Sequence, residues 1–165
     1  MTIKFLSSVL YVRDIHASRA FYEGLLDQKV EMDFGPNVGF VGGFAIWQAS
    51  HAESVVFGKA LDRPARLGAD NLELYFETDQ IEEAWQRLEQ AGTPVVHPIY
   101  EQPWGQRVFR VYDPDGHMVE LGEPMPVVVL RFLGQGLGVS EVSIRTGMPE
   151  AIIQQIAEAQ EQQKA

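Results

Sequence analysis

Residues 103–121 read PWGQRVFRVYDPDGHMVEL, and this stretch decides the fold. Its centre, Asp113-Pro114-Asp115-Gly116, is typical of a tight turn, because proline presets the first corner angle and glycine tolerates a positive φ. Apolar-rich segments stand on both sides of the turn. The stretch therefore predicts a hairpin of two antiparallel strands.

The register of this hairpin predicts which side chains share a face of the sheet. We pair Tyr112 with His117 across the turn. Glu120 then lies opposite Phe109, and Arg107 shares their face. The other positions of that face are apolar. A carboxylate among such neighbours is the first indication of a ligand site.

The chain repeats one run of elements, a strand, a helix and three short strands. In the first copy Asp14 caps the predicted helix. In the second copy Asp79 and Glu82 form a capping box, and Gly92 ends the helix. The predicted strands cover residues 7–12, 29–34, 38–41 and 44–49 in the first copy, and 72–78, 95–100, 106–112 and 117–122 in the second. This order predicts an α+β fold in one domain.

Composition excludes several classes of function. The chain has 165 residues, no cysteine and a net charge of -10. Without cysteine there is no disulfide, thiolate ligand or cysteine nucleophile. The acidic charge disfavours a general phosphate-binding surface, so we expect no nucleic-acid partner. We find no apolar run of membrane-span length and no secretory leader pattern, so we expect no membrane partner and a cytoplasmic location.

The last part of the chain differs from both copies. Residues 139–163 predict two helices broken at Gly147 and Pro149, an arrangement similar to the helix-turn-helix of DNA-binding regulators. Between residues 127 and 165, three basic residues stand against four glutamates, so the basic footprint of DNA binding is missing. We therefore expect this C-terminal arm to pack on a dimer partner.

The doubled unit and the stretch from Trp104 to Leu121 resemble the vicinal-oxygen-chelate superfamily, which includes glyoxalase I, bleomycin-resistance proteins and extradiol dioxygenases. The resemblance implies paired βαβββ modules that form an open, cupped eight-stranded sheet, with a C-terminal helical extension. It also implies a homodimer and a small-molecule ligand in the cleft. The implied boundaries are 1–126 for the glyoxalase/bleomycin-resistance-like domain, with modules about 1–58 and 70–126, and 127–165 for the arm.

Metal-using members of this superfamily take one ligand from the first and one from the last strand of each unit. At those four places this chain carries Ser7, Gln48, Glu73 and Glu120. The usual histidines are absent, and the donors Glu120, Glu73 and Gln48 suit Mg²⁺ or Mn²⁺ better than iron or zinc. We therefore expect either no metal or a weakly held divalent cation, and we do not expect an iron-dependent dioxygenase.

Two glutamates are the candidate catalytic residues. Glu73 and Tyr75 point away from the helix side of their strand, so they face either solvent or the cleft. If Glu73 and Glu120 converge without a metal, at least one carboxyl pKa rises, which gives a proton shuttle of the kind that isomerases use. The alternative is that the two carboxylates bind a cationic group.

The predicted substrate-binding residues each have two interpretations. Trp104 is a core residue or an aromatic wall of the pocket, and the resemblance favours the wall. Arg107 orients an anionic substrate or forms a structural ion pair. Trp47 lines the other wall or packs in the core. The remaining two predicted ligand contacts are Phe109 and Tyr75.

The resemblance supports three hypotheses of function. The first is a glyoxalase-like small-molecule-binding protein, and, if it is an enzyme, a lyase or isomerase that acts next to a carbonyl. The second is a sequestering protein of the bleomycin-resistance type, which binds a cationic compound without turnover. The third is a ligand-responsive regulator that binds DNA through the C-terminal arm.

Overall fold

The computed structural model describes residues 2–62 and 66–164. The chain divides into two compact units that interleave along the sequence. The first unit holds the residues up to Glu73, together with 92–94 and 112–118. The second unit holds residues 74–91, 95–111 and everything described beyond Met118. None of the described helices is both long and apolar enough to cross a membrane.

The first sheet has four strands in the order β1-β4-β3-β2. Strand β1 runs parallel to β4, and the other neighbours are antiparallel. A short helix, α1, continues into a π-helical segment at Ala20–Leu25. A second helix, α2, follows β4. The bounds are β1 Ser8–Val12, α1 Ile15–Arg19, β2 Val30–Asp33, β3 Asn37–Phe40, β4 Phe44–Gln48 and α2 Ala49–Phe57.

The predicted N-cap of α1 is confirmed. The Asp14 carboxylate accepts hydrogen bonds from the backbone N–H groups of His16 (2.8 Å) and Ala17 (3.3 Å). The apolar stripe of this helical segment buries Phe21 and Tyr22. Because two of the four otherwise unpaired N–H groups are satisfied by one side chain, the chain turns from β1 into the helix at a defined residue.

The second sheet repeats this arrangement in the order β5-β8-β7-β6. Its helix, α3, buries Ile81 and Leu88 on one face. The predicted capping box is wrong, because the N-cap is Gln80 without a side-chain bond and Glu82 binds Arg107 instead. The bounds are β5 Glu73–Glu77, α3 Ile81–Gln90, β6 Val95–Glu101, β7 Arg107–Tyr112 and β8 Met118–Gly122.

Three helices follow the second sheet: α4 Met125–Gly134, α5 Val139–Thr146 and α6 Glu150–Lys164. The break between α5 and α6 falls at Gly147, as predicted, and this glycine has a φ of 74°. The helices share a buried cluster that includes Val128, Phe132, Val142 and Ile153. The α+β class, the duplicated unit and the C-terminal helices, α4 among them, are confirmed, whereas α2 was not predicted as a helix.

Candidate functional site

The hairpin register differs by one residue from the prediction. The Asp113 N–H donates to the His117 carbonyl (2.9 Å), and the Glu123 N–H donates to the Arg107 carbonyl (3.0 Å). The turn therefore leaves three residues in the loop, and its last residue, Gly116, has a φ of 82°. A glycine in this conformation after a type I turn is the usual way to close a three-residue hairpin loop.

This register places Glu120 opposite Arg110 instead of Phe109. The Arg110 guanidinium forms an ion pair with the Glu120 carboxylate. Glu120 is only 6% exposed. A shift of one residue exchanges the two faces of a strand, so Arg107 and Phe109 lie on the opposite side of the sheet from Glu120.

His97 extends this pair onto the next strand. It is paired with Arg110 across β6 and β7, and its Nε2 accepts a hydrogen bond from the Arg110 guanidinium (3.1 Å). Its Nδ1 lies 2.8 Å from the Pro98 carbonyl. Both contacts are met when the ring carries its proton on Nδ1. His97, Arg110 and Glu120 thus form a connected row across three neighbouring strands.

A second chain of hydrogen bonds lies on the same face as Glu120. The Gln106 amide donates to the Tyr75 hydroxyl (2.7 Å), and the Trp104 indole N–H donates to the Gln106 amide oxygen (3.0 Å). A Cβ built on Gly122 would meet the Gln106 amide at 3.0 Å and the Tyr75 ring at 3.1 Å. Side chains alternate along a strand, so Gly122 and Glu120 point to the same side. We call Tyr75, Gln106, Arg110 and Glu120 the polar face.

Two exposed groups complete the polar face. Trp104 is 41% exposed although its N–H is bonded, so its ring offers an aromatic surface at a fixed position. The Tyr75 hydroxyl donates to the exposed Glu77 carboxylate (3.0 Å). Burial, and then the hydrogen bond to Glu77, raise the pKa of Tyr75, so this hydroxyl keeps its proton at neutral pH.

The opposite side of the sheet carries a buried network of charges. Glu123 is fully buried. Its carboxylate accepts hydrogen bonds from the Arg107 Nε (2.8 Å) and backbone N–H (3.0 Å), and from the Arg131 guanidinium (3.0 Å). Arg107 also binds Glu82 on α3. Arg107 therefore forms an ion pair, which was one of its two predicted roles. Its partners are Glu123 and Glu82, not Glu73 and Glu120.

Glu123 is charged despite its burial. Burial alone would raise the pKa of its carboxyl, but the hydrogen bonds from Arg107 and the charges of Arg131 and Arg107 outweigh this effect, and the net pKa is lowered. Phe109 lies on the same side as this network, completely buried, with its ring 5.3 Å from Trp85 on α3. The prediction that Phe109 shares a face with Glu120 is therefore wrong.

The other predicted site residues belong to the first unit. Trp47 is half-buried, makes an edge contact with Tyr11 at 6.1 Å, and donates its N–H to His51 (2.8 Å). The Gln48 amide donates to the Arg13 carbonyl (3.0 Å). Glu73 is exposed at the start of β5, in the part of that strand assigned to the first unit. The predicted convergence of Glu73 with Glu120 stays a prediction.

The predicted donors do not fit a resident metal ion. Glu120 already neutralises a guanidinium, which competes with a cation for the same carboxylate. Gln48 has its amide nitrogen committed to a backbone carbonyl, and an amide oxygen is a weak neutral ligand. Among the residues that the structure describes, no three His, Cys, Asp or Glu side chains are grouped so that they could hold a metal. The preference for Mg²⁺ or Mn²⁺ over iron or zinc stays a prediction.

Sequence reasoning missed Arg110, Gln106 and His97. One signal could have found Arg110, because a glycine directly after a type I turn, as at Gly116, favours the three-residue loop that pairs Arg110 with Glu120. Gln106 and His97 had no such signal. Their roles depend on partners in other strands, and no local pattern records those contacts.

Comparison with known proteins agrees with this architecture. Residues 5–126 match the family model of the glyoxalase-like domain. Uncharacterized proteins of Mycobacterium bovis and Mycobacterium tuberculosis are 29% identical over 85 residues, which are 52% of this chain and 55% and 49% of theirs. The chain thus spans about half the length of the curated relatives it matches.

Solved structures give the same result. A protein of unknown function from Agrobacterium tumefaciens is 39% identical, with a TM-score of 0.69, over 75% of this chain and 96% of that one. A glyoxalase-related enzyme from Fulvimarina pelagi is 23% identical, with a TM-score of 0.60, over 74% and 88%. A lactoylglutathione lyase from Agrobacterium tumefaciens is 23% identical, with a TM-score of 0.54, over 73% and 92%. The last two similarities show the fold alone.

Proposed function

We propose that this chain, which belongs to the glyoxalase-like domain family of the vicinal-oxygen-chelate superfamily, captures a small organic cation and releases it unchanged. The ligand carries an aromatic or apolar group next to its positive charge. It contacts the polar face of the second unit, between Trp104 and Glu77. This is the sequestering function, which we favour over the lyase or isomerase reaction.

The ion pair between Arg110 and Glu120 carries this proposal. A base that removes a proton next to a carbonyl must have a carboxylate oxygen free to receive it. Here the guanidinium lies against the carboxylate, and His97 holds the guanidinium from its other side. Glu120 is therefore placed to hold Arg110. A lyase or isomerase reaction at this carboxylate would have to use Oε1, because Arg110 holds Oε2, and the negative charge is already balanced by the guanidinium.

The chemistry of the polar face suits a cation. Trp104 offers a ring that is fixed through its N–H, and a cation over an indole face gains about 0.5–2 kcal/mol. The Glu77 carboxylate, accepting from Tyr75, supplies a negative charge on the same strand. The net charge of -10 attracts cations over a longer range. These features together favour a cationic ligand over an anionic one.

The C-terminal arm does not favour DNA binding. Arg131 and Arg145 both bind the Glu101 carboxylate, at 3.1 and 2.6 Å. Binding to DNA depends on basic side chains that neutralise phosphates. The two arginines of the arm are committed to partners within the second unit, so the regulator hypothesis gains no support from the structure.

Calorimetry with three matched probes tests the proposal. Benzyltrimethylammonium carries the charge, neopentylbenzene is its neutral isostere, and benzylsulfonate is anionic. We expect saturable binding of the cation alone, at least tenfold weaker binding in Trp104→Leu, and severalfold weaker binding in Glu77→Gln. Glu83→Gln, at an exposed position on α3, is the matched charge control and keeps wild-type affinity.

Two results would contradict the proposal. Equal binding of all three probes would show that charge does not select the ligand. Faster exchange of the α-hydrogens of acetophenone for deuterium, abolished by Glu120→Gln, would support the isomerase reaction in place of capture.

A further inference from the structure

We infer that helix α4 positions the ligand-facing loop of the second unit and so sets how tightly this site binds. The loop is Gln102–Gln106, which carries Trp104, and we call it the Trp104 loop. The residues of α4 that touch it, Arg131 and Phe132, lie beyond residue 126, where the match to the family ends. The part of the inference that concerns affinity rests on the proposed function.

The first contact is steric. Gly105 has a φ of 88°, and a Cβ at this position would lie 2.2 Å from the Cζ atom of Phe132. Phe132 is 1% exposed, and its ring belongs to the core that the three C-terminal helices share. Real Cβ atoms essentially never approach another heavy atom so closely, so the loop backbone rests directly on the ring. The position of the Phe132 ring therefore limits where the backbone of the Trp104 loop can lie.

The second contact is polar. The Arg131 guanidinium donates to the Gly105 carbonyl (2.5 Å) and to the Glu123 carboxylate (3.0 Å). Its other terminal nitrogen donates to Glu101, the residue just before the loop (3.1 Å). One planar side chain thus binds the loop, the residue that precedes it, and a fully buried carboxylate. The fork geometry of arginine allows these bonds at once, and lysine cannot reproduce them.

The loop transmits this position to Trp104. Within it, the Gly105 N–H donates to the Gln102 carbonyl (2.8 Å), and the Gln102 N–H donates to the Gln106 carbonyl (2.8 Å). The Gln106 amide donates to the Glu123 carbonyl (2.8 Å) and accepts from the Trp104 indole. The exposed indole is thus linked through Gln106 to Glu123, and through the loop backbone to Gly105, and Arg131 binds both of these residues. A shift of α4 would move the aromatic surface.

A pair of arginine variants tests the inference. Within the described residues, Arg145 resembles Arg131 in two contacts: it binds Glu101 (2.6 Å) and lies over the Phe132 ring (4.3 Å). Unlike Arg131, it contacts neither Gly105 nor Glu123. Arg131→Gln and Arg145→Gln thus remove the same charge from the same arm, and only Arg131→Gln releases the Trp104 loop.

The readout is ¹⁹F NMR of protein labelled with 5-fluorotryptophan, since the chain has three tryptophans and Trp104→Phe assigns the signal. We expect the Trp104 signal to shift or broaden in Arg131→Gln and to stay in place in Arg145→Gln. The Trp47 signal, from the first unit, stays in place in both variants. Affinity for benzyltrimethylammonium falls at least tenfold in Arg131→Gln and changes less than twofold in Arg145→Gln.

An unchanged Trp104 signal in Arg131→Gln, or an equal change in Arg145→Gln, would overturn the inference. Should Arg131→Gln fail to fold, Phe132→Leu removes the ring beneath Gly105 and is expected to give the same change of the Trp104 signal. The ¹⁹F measurement needs no ligand. If the wild-type protein fails to bind the cation, the proposed function fails, while the ¹⁹F shifts still decide whether α4 positions the loop.

Discussion

The two sheets of the protein share one order of elements, but the side chains that they bury differ: aromatic rings in the first copy and a charged carboxylate in the second. Under the first sheet, four aromatic rings pack together: Tyr22 lies 5.0 to 5.9 Å from Phe21, Phe40 and Phe44, and the last two stack at 4.6 Å. All four are buried and come from the first copy itself. The first copy therefore supplies this part of its core from its own strands and helix.

The second copy instead buries a carboxylate, that of Glu123. The Trp85 and Phe109 rings are in edge contact, and Glu123 is paired with two arginines. One of these arginines, Arg131, comes from α4. The difference teaches that the second copy takes one of the two arginines that neutralise Glu123 from the C-terminal extension, whereas all four rings of the first cluster come from the first copy.

The largest expected effect compares one ring from each core. Phe40→Ala and Phe132→Ala should each lower the free energy of unfolding by about 4 kcal/mol, because each removes a fully buried ring. Ile144→Ala, at a side chain that is 85% exposed on α5, is the control and should change it by less than about 0.5 kcal/mol. Urea unfolding followed by circular dichroism measures all three. A loss below about 1 kcal/mol for Phe132→Ala would mean that the packing of α4 contributes little to the free energy of unfolding.

The next effect compares a buried charge with an exposed one. Glu123→Gln should cost about 3 kcal/mol, since it leaves two arginines without their buried carboxylate. Asp33→Asn, which breaks an exposed pair with Arg19 in the first unit, should cost less than about 1 kcal/mol. Urea unfolding again gives the comparison. Equal costs for the two variants would remove the distinction between the two cores.

The strands of both copies were predictable because alternation of apolar and polar residues is a local property. The eight observed strands each lie within about two residues of the predicted bounds. The hairpin register was not recovered, because it depends on whether Gly116 closes a three-residue or a four-residue loop. The four-residue loop made Phe109 the predicted neighbour of Glu120, whereas the observed neighbour is Arg110.

The buried charge could not be predicted from the sequence. Glu123 stands before Pro124, where a polar residue normally indicates the end of a strand. Its burial depends on Arg107 from the neighbouring strand and on Arg131 from a helix, and neither contact follows from local spacing. The site on the polar face is similar, since hydrogen bonds to Gln106 link Tyr75 with Trp104. The sequence thus identified several of the residues and missed the contacts that give them a role.

A smaller effect distinguishes the two units by pH. Burial, and then the charge of Asp113, raise the pKa of Asp115 in the first unit, whereas the pKa of Glu123 in the second unit is lowered. A carboxyl whose pKa is raised by folding contributes stability below its unfolded pKa, and this contribution is lost as pH rises through the folded pKa. A carboxyl whose pKa is lowered by folding stabilises the fold above its unfolded pKa, which is about 4.3 for glutamate. This contribution is lost as pH falls through the folded pKa.

The two variants should therefore show opposite slopes. Relative to wild type, Asp115→Asn becomes more stable as pH rises from about 3 to about 7, and Glu123→Gln becomes less stable over the same range. Unfolding free energies at several pH values, measured by urea titration, give both differences. Parallel slopes would show that these two carboxyls do not differ in the way that their surroundings indicate.

The smallest effect on stability concerns one tryptophan from each unit. Trp47→Phe loses the hydrogen bond to His51, and Trp104→Phe loses the bond to Gln106, so each should cost about 1 kcal/mol or less. Their effects on ligand binding should differ. Trp104→Phe frees the ring from Gln106 and should weaken benzyltrimethylammonium severalfold in calorimetry, whereas Trp47→Phe should leave the affinity within twofold. Equal losses of affinity would mean that the binding surface is not confined to the second unit, and the polar face would then be only part of the site.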